Sequence, residues 1–210
     1  PIPKGPELTT ASTTQTSEAK EGVSEVFAEN SELSNIGTEE QYSEYLNTIF
    51  PDSKVKDIVY HGTNSNFIEF EKGTGKNTGN YGFSGVGIYT TKDKKLANSL
   101  GGINNEDGNA RKVISAIVNI TNPYTNSTED SNKIGVEKKE VYEHTNYGNE
   151  AETEAFTKKV KDAGFDSVDV KYAGGEEQVL FEPKQVYILG SKKDIQGFKD
   201  FLSQPTQTTS

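Results

Sequence analysis

The chain has 210 residues, of which 31% are hydrophobic, and a formal net charge of −10. This length predicts one domain with polar ends. The acidic charge argues against nucleic-acid binding through a broad basic surface, since phosphate neutralisation supplies most of that affinity. With no cysteine and only two histidines, the sequence offers no disulfide, no thiolate chemistry and no recognisable metal site. No apolar run reaches 18 residues, so no membrane segment is predicted.

Both ends of the chain are polar. Residues 1–20 are rich in Pro, Thr and Ser without periodicity, and residues 203–210 resemble them. We therefore predict a flexible linker over residues 1–35, in which residues 23–28 could form a short helix, a folded domain over 36–202 and a flexible tail over 203–210. The chain does not begin with methionine, so we expect it to be part of a larger polypeptide.

The first half of the domain is predicted to contain two helices and two short strands. Thr38 and Gln41 form a capping-box pattern at the start of a helix that runs to residue 50. A strand over residues 58–61 ends at Gly62, and the glycine-rich segment 73–87 is expected to be a loop. A strand over 88–90 leads to a helix over 94–100, capped by Thr91 and ended by a pair of glycines.

The second half begins with the most strongly strand-like segment, residues 113–120. A helix over residues 150–163 is expected to bury Ala151, Ala155, Phe156 and Val160. Strands over 167–170 and 177–181 flank a loop at 171–176, and a last helix runs from a Ser191 cap to Leu202. Strands that alternate unevenly with few helices predict an α+β fold with a mixed, strongly bent sheet and flanking helices.

Three residues stand out as candidates for chemistry, each with an ordinary structural alternative. His61 at a strand end is more often a histidine bonded to backbone, but Gly62 beside it leaves a free N–H and C=O that can hold a carboxamide. Tyr89 on its own is better explained as a core aromatic on a buried strand. Glu177 alone is equally well a solvated edge carboxylate, although Val179 and Phe181 share its face and make an unpaired charge there costly.

Taken together, the sequence motifs resemble the His-Tyr-Glu class of ADP-ribosyltransferases. The resemblance rests on VYHGT at 59–63, GIY at 87–89, VNITNP at 118–123 and VLFEP at 179–183, and it spans roughly residues 38–189. The class includes diphtheria toxin, the poly(ADP-ribose) polymerases and, in particular, the transferase domains of phage polyvalent and MuF-type proteins. It implies an ADP-ribosyltransferase-like fold that uses NAD as substrate.

The resemblance also implies a role for each matching residue. His61 would bind a ribose hydroxyl of NAD, and Gly62, followed by Thr63, would bind the nicotinamide carboxamide. Tyr89 would stack on the nicotinamide ring. Glu177 would be the catalytic carboxylate.

Two further positions follow from the same resemblance. The second stacking tyrosine of the class falls at Leu100 here, which would cover one face of the nicotinamide with an aliphatic side chain. The loop at 171–176, with Lys171, Tyr172 and Glu176, would meet the acceptor. No metal ligand is implied.

The implied activity is NAD-dependent mono-ADP-ribosylation. Nicotinamide is already a cationic leaving group, so its N-glycosidic bond breaks without a general acid, and one carboxylate can stabilise the oxocarbenium-like transition state. Arg111 is the single arginine and does not end the first strand, which argues against the Arg-Ser-Glu toxin class. Two alternatives stay open: an NAD glycohydrolase with water as acceptor, and, because of Leu100, a catalytically silent NAD-binding module.

The expected partners are NAD and a macromolecular acceptor. The acidic charge favours a protein acceptor slightly over RNA. The expected place of action is the cytoplasm of a target cell, reached with a phage particle or as a toxin.

Overall fold

The computed structural model describes residues 22–65, 67, 69–70, 81–82, 84–103 and 105–204. The helices are α1 Val23–Glu29, α2 Ser31–Ile36, α3 Glu39–Ile49, α4 Lys94–Gly101, α5 Thr128–Lys133, α6 Val141–His144, α7 Glu150–Asp162 and α8 Lys192–Ser203. The strands are β1 Val59–Thr63, β2 Tyr81–Gly82, β3 Gly85–Val86, β4 Ile88–Thr90, β5 Lys112–Val118, β6 Pro123–Tyr124, β7 Ser167–Tyr172, β8 Gly175–Leu180 and β9 Val186–Ile188. Among these described residues, no helix is long and apolar enough to cross a membrane.

The strands form two main sheets and one small hairpin. One sheet has the order β1-β5-β9 and is antiparallel throughout, and the other has the order β4-β8-β7-β6, in which β6 and β7 run parallel. The two sheets meet where Tyr60 donates to the Thr91 carbonyl at 2.7 Å and Thr91 donates back at 3.0 Å. The predicted α+β class with a mixed sheet is confirmed, and the expected bend is this junction between two sheets.

The first core lies where α3 and α8 pack together. Tyr42 and Phe198 are fully buried there, with ring centroids 5.2 Å apart in an edge-to-face arrangement. The predicted capping box of α3 is present, since Gln41 N–H donates to Thr38 Oγ1 and Thr38 N–H donates to Gln41 Oε1. Local sequence therefore fixes the start of α3, and its aromatic face fixes where it packs.

Two helices precede residue 36, where the folded domain was predicted to begin. Helix α1 lies where the sequence allowed a short helix over residues 23–28, and α1 and α2 bury Val23, Val26 and Leu33 in the same core as Tyr42. Two short helices with only three buried apolar side chains give little periodicity, so their stability comes from the apolar surface that α3 and α8 already present. Residues 1–21 and 205–210, predicted to be flexible, lie outside the described residues.

Helix α7 buries a different face from the one expected. Phe156 and Val160 are buried as predicted, whereas Ala151 and Ala155 are exposed and two threonines take their place. Thr157 donates to the Thr153 carbonyl at 2.7 Å and accepts from Val86 N–H at 2.9 Å. Because the Thr157 hydroxyl both donates and accepts, this polar side chain can be buried where α7 packs against β3.

The segments around β3 and α4 also differ from their predictions. The part of the expected 73–87 loop that the structure describes includes the β2–β3 hairpin, while residues 71–80 and 83 lie outside the described residues. Helix α4 is capped by Asp93, whose side chain accepts from Lys95 N–H and Leu96 N–H, and not by Thr91. Thr91 is unsuited to the cap because its backbone pairs with β1.

Candidate functional site

The three strands expected to carry the site are neighbours. Strand β4 pairs with β8 in a register that sets Tyr89 opposite Val179, so Tyr89 and Glu177 share one face of that sheet. Strand β1, with His61, lies on the other side of β4 through the junction between the sheets. Strand pairing thus brings together His61 and Tyr89, which are 28 positions apart in the sequence, and Tyr89 and Glu177, which are 88 positions apart.

His61 is held by β4. Its Nδ1 lies 2.7 Å from the carbonyl oxygen of Tyr89, and its ring meets the ring of Phe70 edge-to-face at 5.0 Å. Burial lowers the pKa of His61, against a smaller opposing effect of the Tyr89 carbonyl, so the ring is neutral at pH 7. A carbonyl can only accept, so Nδ1 carries the proton and Nε2 presents a lone pair. His61 is therefore an acceptor for a hydroxyl group.

Gly62 is required by packing whatever else it does. A Cβ at this position would lie 1.9 Å from the carbonyl oxygen of Ala97 in α4, and Gly101 approaches it from the same helix. The backbone of β1 thus touches the backbone of α4 directly. Thr63 ends β1, and its hydroxyl accepts from Ser65 N–H at 3.1 Å, which supports the following turn.

Tyr89 is fixed at its hydroxyl end. The hydroxyl donates to the Gly85 carbonyl at 2.7 Å and accepts from Ser84 N–H at 3.2 Å. Its half-buried ring packs against the core that contains Val168 and Val179. A ring held at both its edge and its hydroxyl offers a stable surface for stacking.

The neighbouring glutamates at 176 and 177 face opposite sides of β8. Glu176 lies across from Lys171, and the two side chains form an ion pair at 3.6 Å. Glu177 lies across from Val170, on the face of Tyr89 and Val179. Burial raises the pKa of Glu177, and a hydrogen bond with Tyr172 opposes this effect. The two carboxylates therefore occupy different environments, and only that of Glu177 lies on the same face of the sheet as Tyr89.

The expected acceptor loop is shorter than predicted. Lys171 and Tyr172 belong to β7 and Glu176 belongs to β8, so only Ala173 and Gly174 form the turn. The sequence missed this because two successive glycines suggest a long loop, whereas here they close a tight hairpin. Lys171, Tyr172 and Glu176 accordingly have fixed positions set by strand register.

The position predicted for the second stacking residue lies at the surface of α4. Leu100 is 37% exposed. One turn earlier, Leu96 reaches the hairpin, since a Cβ at Gly175 would come within 2.5 Å of its Cδ2 atom. Gly175 and Glu177 share a face of β8, so Leu96 packs on the same face of this strand as Glu177. Sequence reasoning missed Leu96, although its spacing of one helical turn from Leu100 was a usable signal.

No cluster of three or more potential metal ligands occurs among the residues that the structure describes. The second histidine, His144, stacks on Phe156 at 5.3 Å and is separate from the strands that carry His61 and Glu177. The functional groups at the junction are thus an imidazole, a phenol ring and a carboxylate. This set can bind hydroxyl groups and a flat ring and can stabilise a developing positive charge.

Comparison with known proteins identifies the class. A family model described as "ADP-Ribosyltransferase in polyvalent proteins" matches residues 55–195, about two thirds of the chain. The fold and the matched segment are those of an ADP-ribosyltransferase domain. The chain belongs to the ADP-ribosyltransferase family of polyvalent proteins.

Similarity to solved structures is distant. The chain has 12% identity to an anti-CRISPR protein, covering 62% of this chain and 93% of that one at a TM-score of 0.36. It has 11% identity to a chain of the M. tuberculosis MbcT-MbcA toxin-antitoxin complex, covering 76% of this chain and 97% of that one at a TM-score of 0.41. The search of curated proteins gave no match.

Proposed function

We propose that this domain is an NAD-dependent mono-ADP-ribosyltransferase that cleaves the nicotinamide N-glycosidic bond and transfers ADP-ribose to a macromolecule. The observation that supports it most is the contact between His61 and Tyr89 next to the strand that carries Glu177. Because the chain belongs to this family, ADP-ribosyl transfer is the reaction that we expect His61, Tyr89 and Glu177 to support. The acidic charge of the chain favours a protein acceptor over RNA. The occurrence of the family in polyvalent proteins motivates the further proposal that the domain acts in the cytoplasm of a target cell, reached with a phage particle or as a toxin.

Each residue then has a defined task. The lone pair of His61 Nε2 accepts from a ribose hydroxyl, and the backbone of Gly62 binds the carboxamide. The ring of Tyr89 stacks on nicotinamide. Glu177 accepts from the ribose 2-hydroxyl, and this bond strengthens as positive charge develops on the sugar.

The test is the pair Glu177→Gln and Glu176→Gln. Glutamine keeps the size of the side chain but removes the charge, so we expect Glu177→Gln to bind NAD normally and release nicotinamide about 100- to 1000-fold more slowly. Glu176→Gln is the matched control, since it alters the adjacent carboxylate on the opposite face of the strand. We expect it to release nicotinamide at close to the wild-type rate. Full activity in both variants would refute the mechanism, and loss in the control alone would move the catalytic role to Glu176.

The fate of the ADP-ribose separates a transferase from the alternatives. Wild-type domain is incubated with radiolabelled NAD and a cell lysate, and label that stays on protein supports the transferase. Label found only in free ADP-ribose would indicate an NAD glycohydrolase. NAD binding without any nicotinamide release would indicate a silent binding module, and label on RNA alone would overturn the protein acceptor.

A further inference from the structure

The hairpin of β7 and β8 places a tyrosine beside the candidate catalytic carboxylate. In this register Tyr172 lies opposite Gly175 and Val170 lies opposite Glu177, so Tyr172 and Glu177 are diagonal neighbours on one face. Diagonal neighbours in an antiparallel pair are within reach of aromatic and long side chains. The Tyr172 hydroxyl is close enough to the Glu177 carboxylate for each group to affect the pKa of the other: Glu177 raises the pKa of Tyr172, and Tyr172 opposes the rise in the pKa of Glu177.

Two glycines make room for this arrangement. A Cβ at Gly174 would lie 2.9 Å from Cε2 of Tyr172, so the ring lies against the turn of the hairpin. A Cβ at Gly175 would collide with Leu96 of α4. The absence of side chains at Gly174 and Gly175 thus leaves room for the Tyr172 ring and for Leu96 of α4 next to the start of β8.

The environment decides which of the two groups can donate. Burial and the nearby Glu177 raise the pKa of Tyr172 to about 12, so its hydroxyl stays protonated at neutral pH and can donate to the carboxylate. An ionised carboxylate has two oxygens with about four acceptor positions. It can therefore accept from the phenol and from a ribose hydroxyl at the same time.

We infer that Tyr172 is a positioning residue for the proposed reaction: its hydroxyl holds the Glu177 carboxylate in the orientation that meets the ribose. A glutamate side chain without a partner has several rotamers, and restricting it to one rotamer in each turnover has an entropic cost. A hydrogen bond from Tyr172 would restrict the Glu177 side chain before NAD binds, so this cost would not add to the barrier of the reaction. The assignment rests on the proposed function. It differs from a contact with the acceptor, which the position of Tyr172 at the hairpin end would otherwise suggest.

The test is Tyr172→Phe, which keeps the ring and removes the hydroxyl. The first measurement is the titration of the Glu177 carboxyl in protein labelled with ¹³C-glutamate and free of NAD, with Glu177→Gln used to assign the resonance. Removing the donor takes away a bond that favours the charged form, so we expect Glu177 to titrate at higher pH. The second measurement is the pH dependence of nicotinamide release, whose acid limb should move in the same direction.

At a pH above this limb we expect kcat to fall about tenfold, as for one lost hydrogen bond to a charged group, with KM for NAD unchanged. Tyr147→Phe is the control, because Tyr147 is an exposed tyrosine outside these strands, and it should change neither measurement. An unshifted Glu177 titration in Tyr172→Phe would overturn the inference. So would normal nicotinamide release with reduced ADP-ribose transfer, since that result indicates an acceptor contact.

The two hypotheses fail in different ways. A wild-type domain that releases no nicotinamide refutes the proposed function. The titration in the absence of NAD decides separately whether Tyr172 controls Glu177.

Discussion

Gly62 offers the sharpest separation of a packing role from a ligand-binding role. In Gly62→Ala the new methyl group would lie 1.9 Å from the Ala97 carbonyl oxygen. Restoring an ordinary contact of 3.4 Å requires α4 to move away from β1 by about 1.5 Å. The obstacle is helix backbone, which cannot rotate aside as a side chain would. Gly101 would have to move as well, since it packs against Gly62 from the same helix.

We expect Gly62→Ala to lower the free energy of unfolding by about 1–3 kcal/mol, the usual cost of overpacking. The assay is urea denaturation followed by circular dichroism, combined with NAD binding. Gly108→Ala is the control, since Gly108 has a positive φ of 66° but nothing within 4 Å of its would-be Cβ. The control should lose only about 1 kcal/mol from backbone strain. Wild-type stability in Gly62→Ala would refute the direct contact of α4 with β1, and weaker NAD binding with unchanged stability would assign Gly62 to the ligand alone.

Two further predictions concern Leu100 and the buried pair Tyr42 and Asp194. Leu100→Tyr should change the free energy of unfolding by less than about 0.5 kcal/mol because the Leu100 side chain is 37% exposed. Calorimetry should show that this variant binds NAD severalfold more tightly than the wild type. Unchanged affinity would mean that the nicotinamide does not bind next to position 100. Burial raises the pKa of Asp194 to about 6, with hydrogen bonds from Tyr42 and Gly190 opposing it. The folded protein then holds this proton more tightly than the unfolded chain, so stability should fall by up to about 3 kcal/mol as pH rises from about 4 to 6. Urea denaturation at several pH values should show that the free energy of unfolding falls less between about pH 4 and 6 in Asp194→Asn than in the wild type. An equal fall in both proteins would show that Asp194 is not the group responsible.

The sequence by itself determined the local features that depend on near neighbours. The capping box at Thr38 and the Ser191 cap are present because each needs only residues within one helical turn. The motifs around His61, Tyr89 and Glu177 are short and strand-like, and the family match to residues 55–195 agrees with the class they suggested. The class of protein could therefore be predicted without coordinates, and the roles of His61, Tyr89 and Glu177 stay predictions.

The tertiary structure decided what depends on distant partners. Helices α1 and α2 pack in one core with α3 and α8, and a sequence pattern this short does not show that such a core covers it. The proximity of Tyr172 and Leu96 to Glu177 depends on strand register and on where α4 packs, neither of which local composition reveals. A shift of one residue in the β7–β8 register would turn Tyr172 to the opposite face from Glu177. The sequence was thus enough to propose Glu177 as the catalytic residue, but cross-strand pairing sets the environment of its carboxylate.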